Sequence, residues 1–247
     1  MPRWKNAAVA SSGRHRLSTE EEGKWDGLRE KNKLKGGIAH APRRTTSHEN
    51  CVIFKGGRAK MTYAYGTAEW EKAYLEMVEK RLATVARPYI LGSPEWVATY
   101  EKMIQESQEY KEAAKGWEGT VVIHIMANPA LGLPEDSYLL LDLWHGECRS
   151  VRLVPREVGV KADYILSGEL ERWEAVTSGA LNVTKAMMQG KIKLKGSLAK
   201  IVRYVKASTL LTEIATHIET RHLSQLSDEE REQYRKELNE LKAEFGF

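Results

Sequence analysis

The spacing of apolar positions along this chain switches from helical to extended and back, and each switch marks an element. Gly66-Thr67-Ala68-Glu69-Trp70 with Tyr74, Met77 and Val78 is echoed 26 residues later by Gly92-Ser93-Pro94-Glu95-Trp96 with Tyr100, Met103 and Ile104. Intervals of four, seven and eight residues put each set on one helical stripe. Thr67 and Ser93 suit the N-cap, Pro94 the first helical position, and the early Glu favours the positive end of the helix dipole. Two similar helices are expected at 67–86 and 93–115, broken near Pro88, with their aromatic stripes packed as core. After Trp117 the period falls to two, and strands are expected at 120–126, 137–144, 148–154 and 162–167. His145-Gly146-Glu147 is a short turn, so the second and third strands form a hairpin in which Leu139, Leu141 and Leu143 share a face opposite Val151 and Leu153.

Helical spacing returns at Glu169, where Leu170, Trp173 and Val176 outline a stripe that Ser178-Gly179 ends, and a short helix follows at 181–189. The stretch MMQGKIKLKG at 187–196 then packs a helix end, a strand and a helix start together. Gly190 permits the positive φ that closes the helix, and Ile192 and Leu194 alternate with Lys191, Lys193 and Lys195 as in a half-buried strand. Ser197 caps a helix with Leu198, Ile201, Val202 and Val205 as its apolar positions, followed by one carrying Leu210, Leu211, Ile214 and Ile218. The last helix, 228–244, is dense in Glu and Lys, and its thin stripe of Tyr234, Leu238 and Leu241 predicts a solvated or loosely docked element.

Composition adds an asymmetry. The 247 residues are 42% hydrophobic and 29% charged, enough to bury a sizeable core, and the net charge is +4. Residues 1–60 hold 14 Lys/Arg against 6 Asp/Glu, so that quarter is basic and the remainder carries −4. Those first 60 residues lack periodicity and are expected to be disordered. They read as a solvated tail, a nucleic-acid or membrane-surface arm, a cleaved presequence, or the product of a mistaken start before Met61. No apolar run approaches the ~20 residues of a membrane span. Cys51 and Cys148 make no framework; free thiols in a reducing, cytoplasmic setting are the simplest expectation, with one bridge between them left open.

The ordered succession Ala162-Asp163-Tyr164-Ile165-Leu166-Ser167, Trp173 through Gly179, and Asn182 through the MMQGKIKLKG stretch resembles the sterol carrier protein type-2 family over about 105–220. The resemblance implies an α/β (α+β) fold: a five-stranded, mainly antiparallel sheet covered by helices that enclose an apolar tunnel for a lipid, sterol or fatty acyl ligand. It implies binding and transfer without catalysis or cofactor. The region 93–222 would be this lipid-binding domain, with 61–92 an accessory helix and 223–247 a charged helix outside it. Ser197 stands where the family commonly has Asp, and the Phe245-Gly246-Phe247 terminus is not a peroxisomal signal.

A cavity for an acyl chain needs more apolar and adaptable side chains than a minimal core. Leu139, Leu141 and Leu143 are candidates for its floor, and Trp173, Met187, Met188, Leu198, Ile201, Leu211 and Ile214 for its walls, although each would serve equally as core. Gln189 is a candidate polar contact, and Lys200, Arg203 and Lys206 lie where an anionic head group, a coenzyme A phosphate or transient contact with a membrane surface would meet them. The competing class is a small-molecule enzyme using His145 and Cys148, near His124 and Asp142. Zinc needs three or four ligands, and no second such pair accompanies them. Nucleic-acid binding rests on the basic tail alone. An accessory or substrate-presenting role beside a separate lipid-metabolising enzyme is the alternative to autonomous transfer.

Overall fold

The computed structural model describes residues 63–247, so the expectations for the first 60 residues and for Cys51 lie outside the described region. Helix α1 (Ala68–Thr84) starts at Thr67, whose side chain accepts a hydrogen bond from the Trp70 amide. The chain turns through Pro88 into a two-residue strand, β1 (Tyr89–Ile90), and Ser93 then caps α2 (Pro94–Glu106) through the Trp96 amide. The single helix expected at 93–115 is two, because Ser107 ends α2 and caps α3 (Gln108–Ala114) by accepting from the Tyr110 amide. A serine hydroxyl offers the backbone an alternative partner, and here that alternative wins.

Strand β2 (Glu118–Met126) is followed by the hairpin of β3 (Ser137–Trp144) and β4 (Glu147–Leu153). Its two-residue turn has both central residues at positive φ, His145 at 48° and Gly146 at 85°. A Cβ on Gly146 would collide with the Lys111 carbonyl. Leu139 pairs with Leu153 and Leu141 with Val151, as the alternation required. A short helix, α4 (Arg156–Gly159), leads to β5 (Tyr164–Glu169), which pairs parallel with β2. Then come α5 (Leu170–Thr177), α6 (Val183–Met188), the edge strand β6 (Lys193–Lys195), α7 (Leu198–Arg203), α8 (Val205–Thr216), β7 (Thr220–Arg221) and α9 (Asp228–Phe245).

The main sheet has the order β4-β3-β2-β5-β6, antiparallel except at the β2–β5 pair. A second, two-stranded sheet joins β1 to β7 in parallel and ties the chain before α2 to the chain after α8. Helix α2 covers the open edge of β4: Glu101 accepts from the Val151 amide at 3.0 Å, and Gln105 donates to the Cys148 carbonyl at 3.1 Å.

Three expectations need correction. Ile201 is buried on α7, but Leu198, Val202 and Val205 are exposed, because Tyr204 breaks the expected helix after one and a half turns and leaves α7 too short to bury more than one row. Met188 is exposed at the end of α6, whose inward row is Val183, Ala186 and Met187. Finally, α9 is docked, not solvated. Tyr234, Leu238 and Phe245 are buried, and the Trp70 indole donates to the Phe245 carbonyl at 2.8 Å. The sparse stripe suffices because Phe245 closes an aromatic cluster in which Trp70 and Tyr74 stack at 4.7 Å.

Candidate lipid-binding cavity

A cavity lies between one face of the main sheet and the helices laid across it. Its floor comes from period-two alternation: Val121, Ile123 and Ile125 on β2, Leu139, Leu141 and Leu143 on β3, Leu153 on β4 and Leu166 on β5. Its walls are Trp96 and Tyr100 of α2, Tyr110 of α3, Trp173 and Val176 of α5, and Val183 of α6. Ile201, Tyr204, Ala207, Leu211 and Ala215 of α7 and α8 close it. Among the described residues no charged side chain lines it; its polar groups are small hydroxyls such as Ser137, Thr177, Ser208 and Thr212 together with tyrosine phenols. Burial pushes the Tyr100 and Tyr110 phenols above their ordinary range, so both stay neutral. Such a lining takes an aliphatic body and rejects a charge.

The cavity has a volume of about 100 Å³, and about 1050 Å³ when the groove opening to solvent is included. An enclosed apolar cavity of ~150 Å³ admits benzene. The α8 side forms part of its wall. Two hydrogen bonds hold that side: the Tyr100 hydroxyl donates to the Leu211 carbonyl at 3.0 Å, and the Tyr204 hydroxyl donates to the Gly116 carbonyl at 2.5 Å. Tyr204, Ser208, Leu211 and Thr212 on this side are half-buried, as are Gly92, Val121, Ile123 and Ser137 elsewhere in the lining.

Of the candidates from sequence, Leu139, Leu141, Leu143, Trp173, Ile201 and Leu211 come together in the lining. Met187 and Ile214 are buried in the surrounding core but do not line the space. Met188, Gln189 and Leu198 are on the outside, since α6 turns its last residue past the inward row and Gln189 becomes its C-cap. Sequence reasoning missed Val121, Ile123 and Ile125, although their alternation was the available sign, and assigned Trp96 and Tyr100 to packing alone. Lys200 is already engaged: its ammonium donates to the Glu118 carbonyl at 2.7 Å and lies 5.1 Å from the Trp117 ring centre.

His145 and Cys148, the residues of the enzyme alternative, make separate contacts. Burial and the neighbouring Glu101 push the Cys148 thiol up to about 12, which leaves almost no thiolate at neutral pH. His145 stays in its turn, with Nε2 3.1 Å from Glu118. Among the described residues no three of His, Cys, Asp and Glu are grouped as metal ligands would be. A different trio does meet on the other face of the sheet, where Ser167 Oγ is 2.9 Å from His124 Nδ1 and Asp136 Oδ2 is 3.0 Å from Nε2. Nε2 is buried there without a well-aligned hydrogen bond, despite the short distance. Tyr138 stacks flat on the imidazole at 4.6 Å. Burial pushes the Asp136 carboxyl up, but the hydrogen bond from the Ala127 amide and the nearby His124 outweigh it and hold the group below the usual range. This trio forms no part of the cavity wall.

A mainly antiparallel five-stranded sheet roofed by helices over an apolar cavity defines a small α+β lipid-binding class. The SCP-2 sterol transfer family model matches residues 100–207. A crystal structure of sterol carrier protein 2 is 33% identical, covering 50% of this chain and 95% of that one, with a TM-score of 0.47. The solution structure of a Thermus thermophilus protein, described as a candidate sterol carrier protein, is 31% identical and covers 55% of this chain and 94% of that one, with a TM-score of 0.50. No curated protein matches the sequence. The chain belongs to the SCP-2 sterol transfer family, a family of lipid binding and transfer.

Proposed function

We propose that this chain binds the aliphatic body of a sterol or fatty acyl lipid in the cavity between the sheet and α8, and carries it without chemical change. The observation that carries this reading is the lining: aliphatic strand residues face aromatic and aliphatic helix residues, and no charge stands among them. Six of the lining residues are those the sequence marked as candidates. For an acyl-coenzyme A ligand, the chain would occupy the cavity while the phosphates remain outside, beside Arg203 and Lys206 on the exposed side of α7 and α8. The buried Cys148 thiol suits a reducing cytoplasm, which is where we place the activity.

Native mass spectrometry of the purified chain, with extraction of whatever copurifies, tests the proposal. A stoichiometric lipid, or displacement of a fluorescent fatty acid at micromolar concentration, is expected. Absence of both, with sterol and acyl probes alike, removes the carrier assignment. An accessory role presenting lipid to a separate enzyme would show instead as bound lipid with no transfer between vesicles.

A further inference from the structure

A buried phenol or indole carries a polar tip that ordinarily finds a partner. Six aromatic side chains with such a tip line the cavity: Trp96, Tyr100, Tyr110, Trp117, Trp173 and Tyr204. Five of the tips are committed. The indoles of Trp96, Trp117 and Trp173 donate to Thr220 Oγ1, the Gly119 carbonyl and the His124 carbonyl, and the hydroxyls of Tyr100 and Tyr204 donate to the Leu211 and Gly116 carbonyls. Tyr110 is different. Its amide donates to Ser107, but its hydroxyl has no hydrogen-bond partner among the described residues, although the residue is only 1% exposed. The described side-chain atoms sealed in without a partner belong to Tyr74, His124 and Arg152, not to Tyr110. The Tyr110 hydroxyl therefore borders open space, and the space its ring borders is the cavity.

Helix α3 sets this hydroxyl at one end of the cavity. It packs beside the β3–β4 turn, where a Cβ on Gly146 would meet the Lys111 carbonyl, so Tyr110 stands with Trp117 and Leu143 at the turn end of the floor. Ser137 marks the other end of β3, about 20 Å away at ~3.3 Å per residue. The remaining lining hydroxyls are bonded or half-buried: Thr177 and Thr212 donate to carbonyls of their own helices, and Ser137 and Ser208 are half-buried. We propose that Tyr110 is the specificity-determining contact of the cavity, its hydroxyl donating to a neutral hydroxyl oxygen on the inner end of the lipid, so that a sterol or long-chain alcohol is selected over the matching hydrocarbon. This rests on the carrier reading. A charged head is excluded at this end, because burial keeps the phenol neutral and no cation among the described lining residues would offset a carboxylate. A hydrocarbon that displaces water from this end leaves the phenol unbonded, whereas an alcohol restores the bond.

The test uses the full chain, as wild type and as Tyr110→Phe, with a bound fluorescent fatty acid displaced by two matched pairs delivered from cyclodextrin: cholesterol with cholest-5-ene, and hexadecanol with hexadecane. Wild type is expected to prefer the alcohol of at least one pair by roughly tenfold or more, and the pair that shows the preference tells a sterol from a straight chain. Tyr110→Phe keeps the ring, so its melting temperature and hydrocarbon affinity should match wild type while the preference falls at least fivefold. A residue that merely packs would change both members of a pair together. Equal affinity within both pairs in wild type overturns the proposal. So does a preference that Tyr110→Phe retains, since the hydroxyl would then bond water alone. In either case binding of the fluorescent fatty acid leaves the carrier reading standing; if wild type binds neither that probe nor any of the four lipids, the carrier reading falls and this inference with it.

Discussion

Replacing Leu211 by Trp separates a ligand cavity from a tightly packed core. Leu211 lies on α8, half-buried, with its side chain at the cavity and its carbonyl held by Tyr100. The cavity's volume of about 100 Å³ leaves room for a larger side chain beside Leu211. An indole that takes up part of this space should change the melting temperature by no more than a few degrees. In a core without space the same insertion would cost ~1–3 kcal/mol. The predicted result is therefore a melting temperature unchanged or raised by a few degrees, with displacement of a fluorescent fatty acid weakened at least tenfold. Scanning fluorimetry and the displacement assay on the same preparation read both. A fall in melting temperature with undiminished probe affinity would refute the argument, because Leu211 would then be core and the ligand elsewhere. Met188→Trp is the control: at 73% exposure it should leave both quantities as they are.

Tyr204→Phe removes the hydrogen bond to the Gly116 carbonyl beside the cavity; stopped-flow fluorescence should show faster probe entry and exit, and unaltered rates would mean that α8 does not gate the cavity. Glu95 is buried at 2% exposure and receives the Arg81 guanidinium at 2.7 Å, so Arg81→Ala should lower stability by ~3–5 kcal/mol in urea titration; an unchanged unfolding midpoint would contradict this. Phe245→Ala opens the α1–α9 aromatic cluster and should cost ~3–5 kcal/mol, whereas a truly loose C-terminal helix would tolerate it. Hydrogen bonds from the Thr120 amide and hydroxyl hold the Asp163 carboxyl below its usual range. That contribution is complete above the unfolded pKa of about 4 and is lost as pH falls through the lower folded value, so Asp163→Asn should flatten the acid limb of stability against pH; an unchanged limb would show the bonds to be inert.

Local patterns determined much of this protein. The N-caps at Thr67 and Ser93, the β3–β4 register and the helix end at Gly190 follow from side-chain sterics and nearest-neighbour hydrogen bonding, which a few residues contain entirely. The alternation of Leu139, Leu141 and Leu143 likewise fixed one face of the cavity before any contact was known. Which helices would lie across that face was not written locally. Leu198 and Ile201 are equally apolar and three residues apart, yet one is exposed and the other buried. Their fates depend on the Tyr204 break and on the hydrogen bond it makes to Gly116, 88 positions away in the chain. The same holds for α9, whose thin stripe is buried only because Phe245 meets Trp70 from the other end of the described chain. An apolar residue states that it prefers to leave water; packing across long sequence separations decides whether it fills a core, lines a cavity or stays outside.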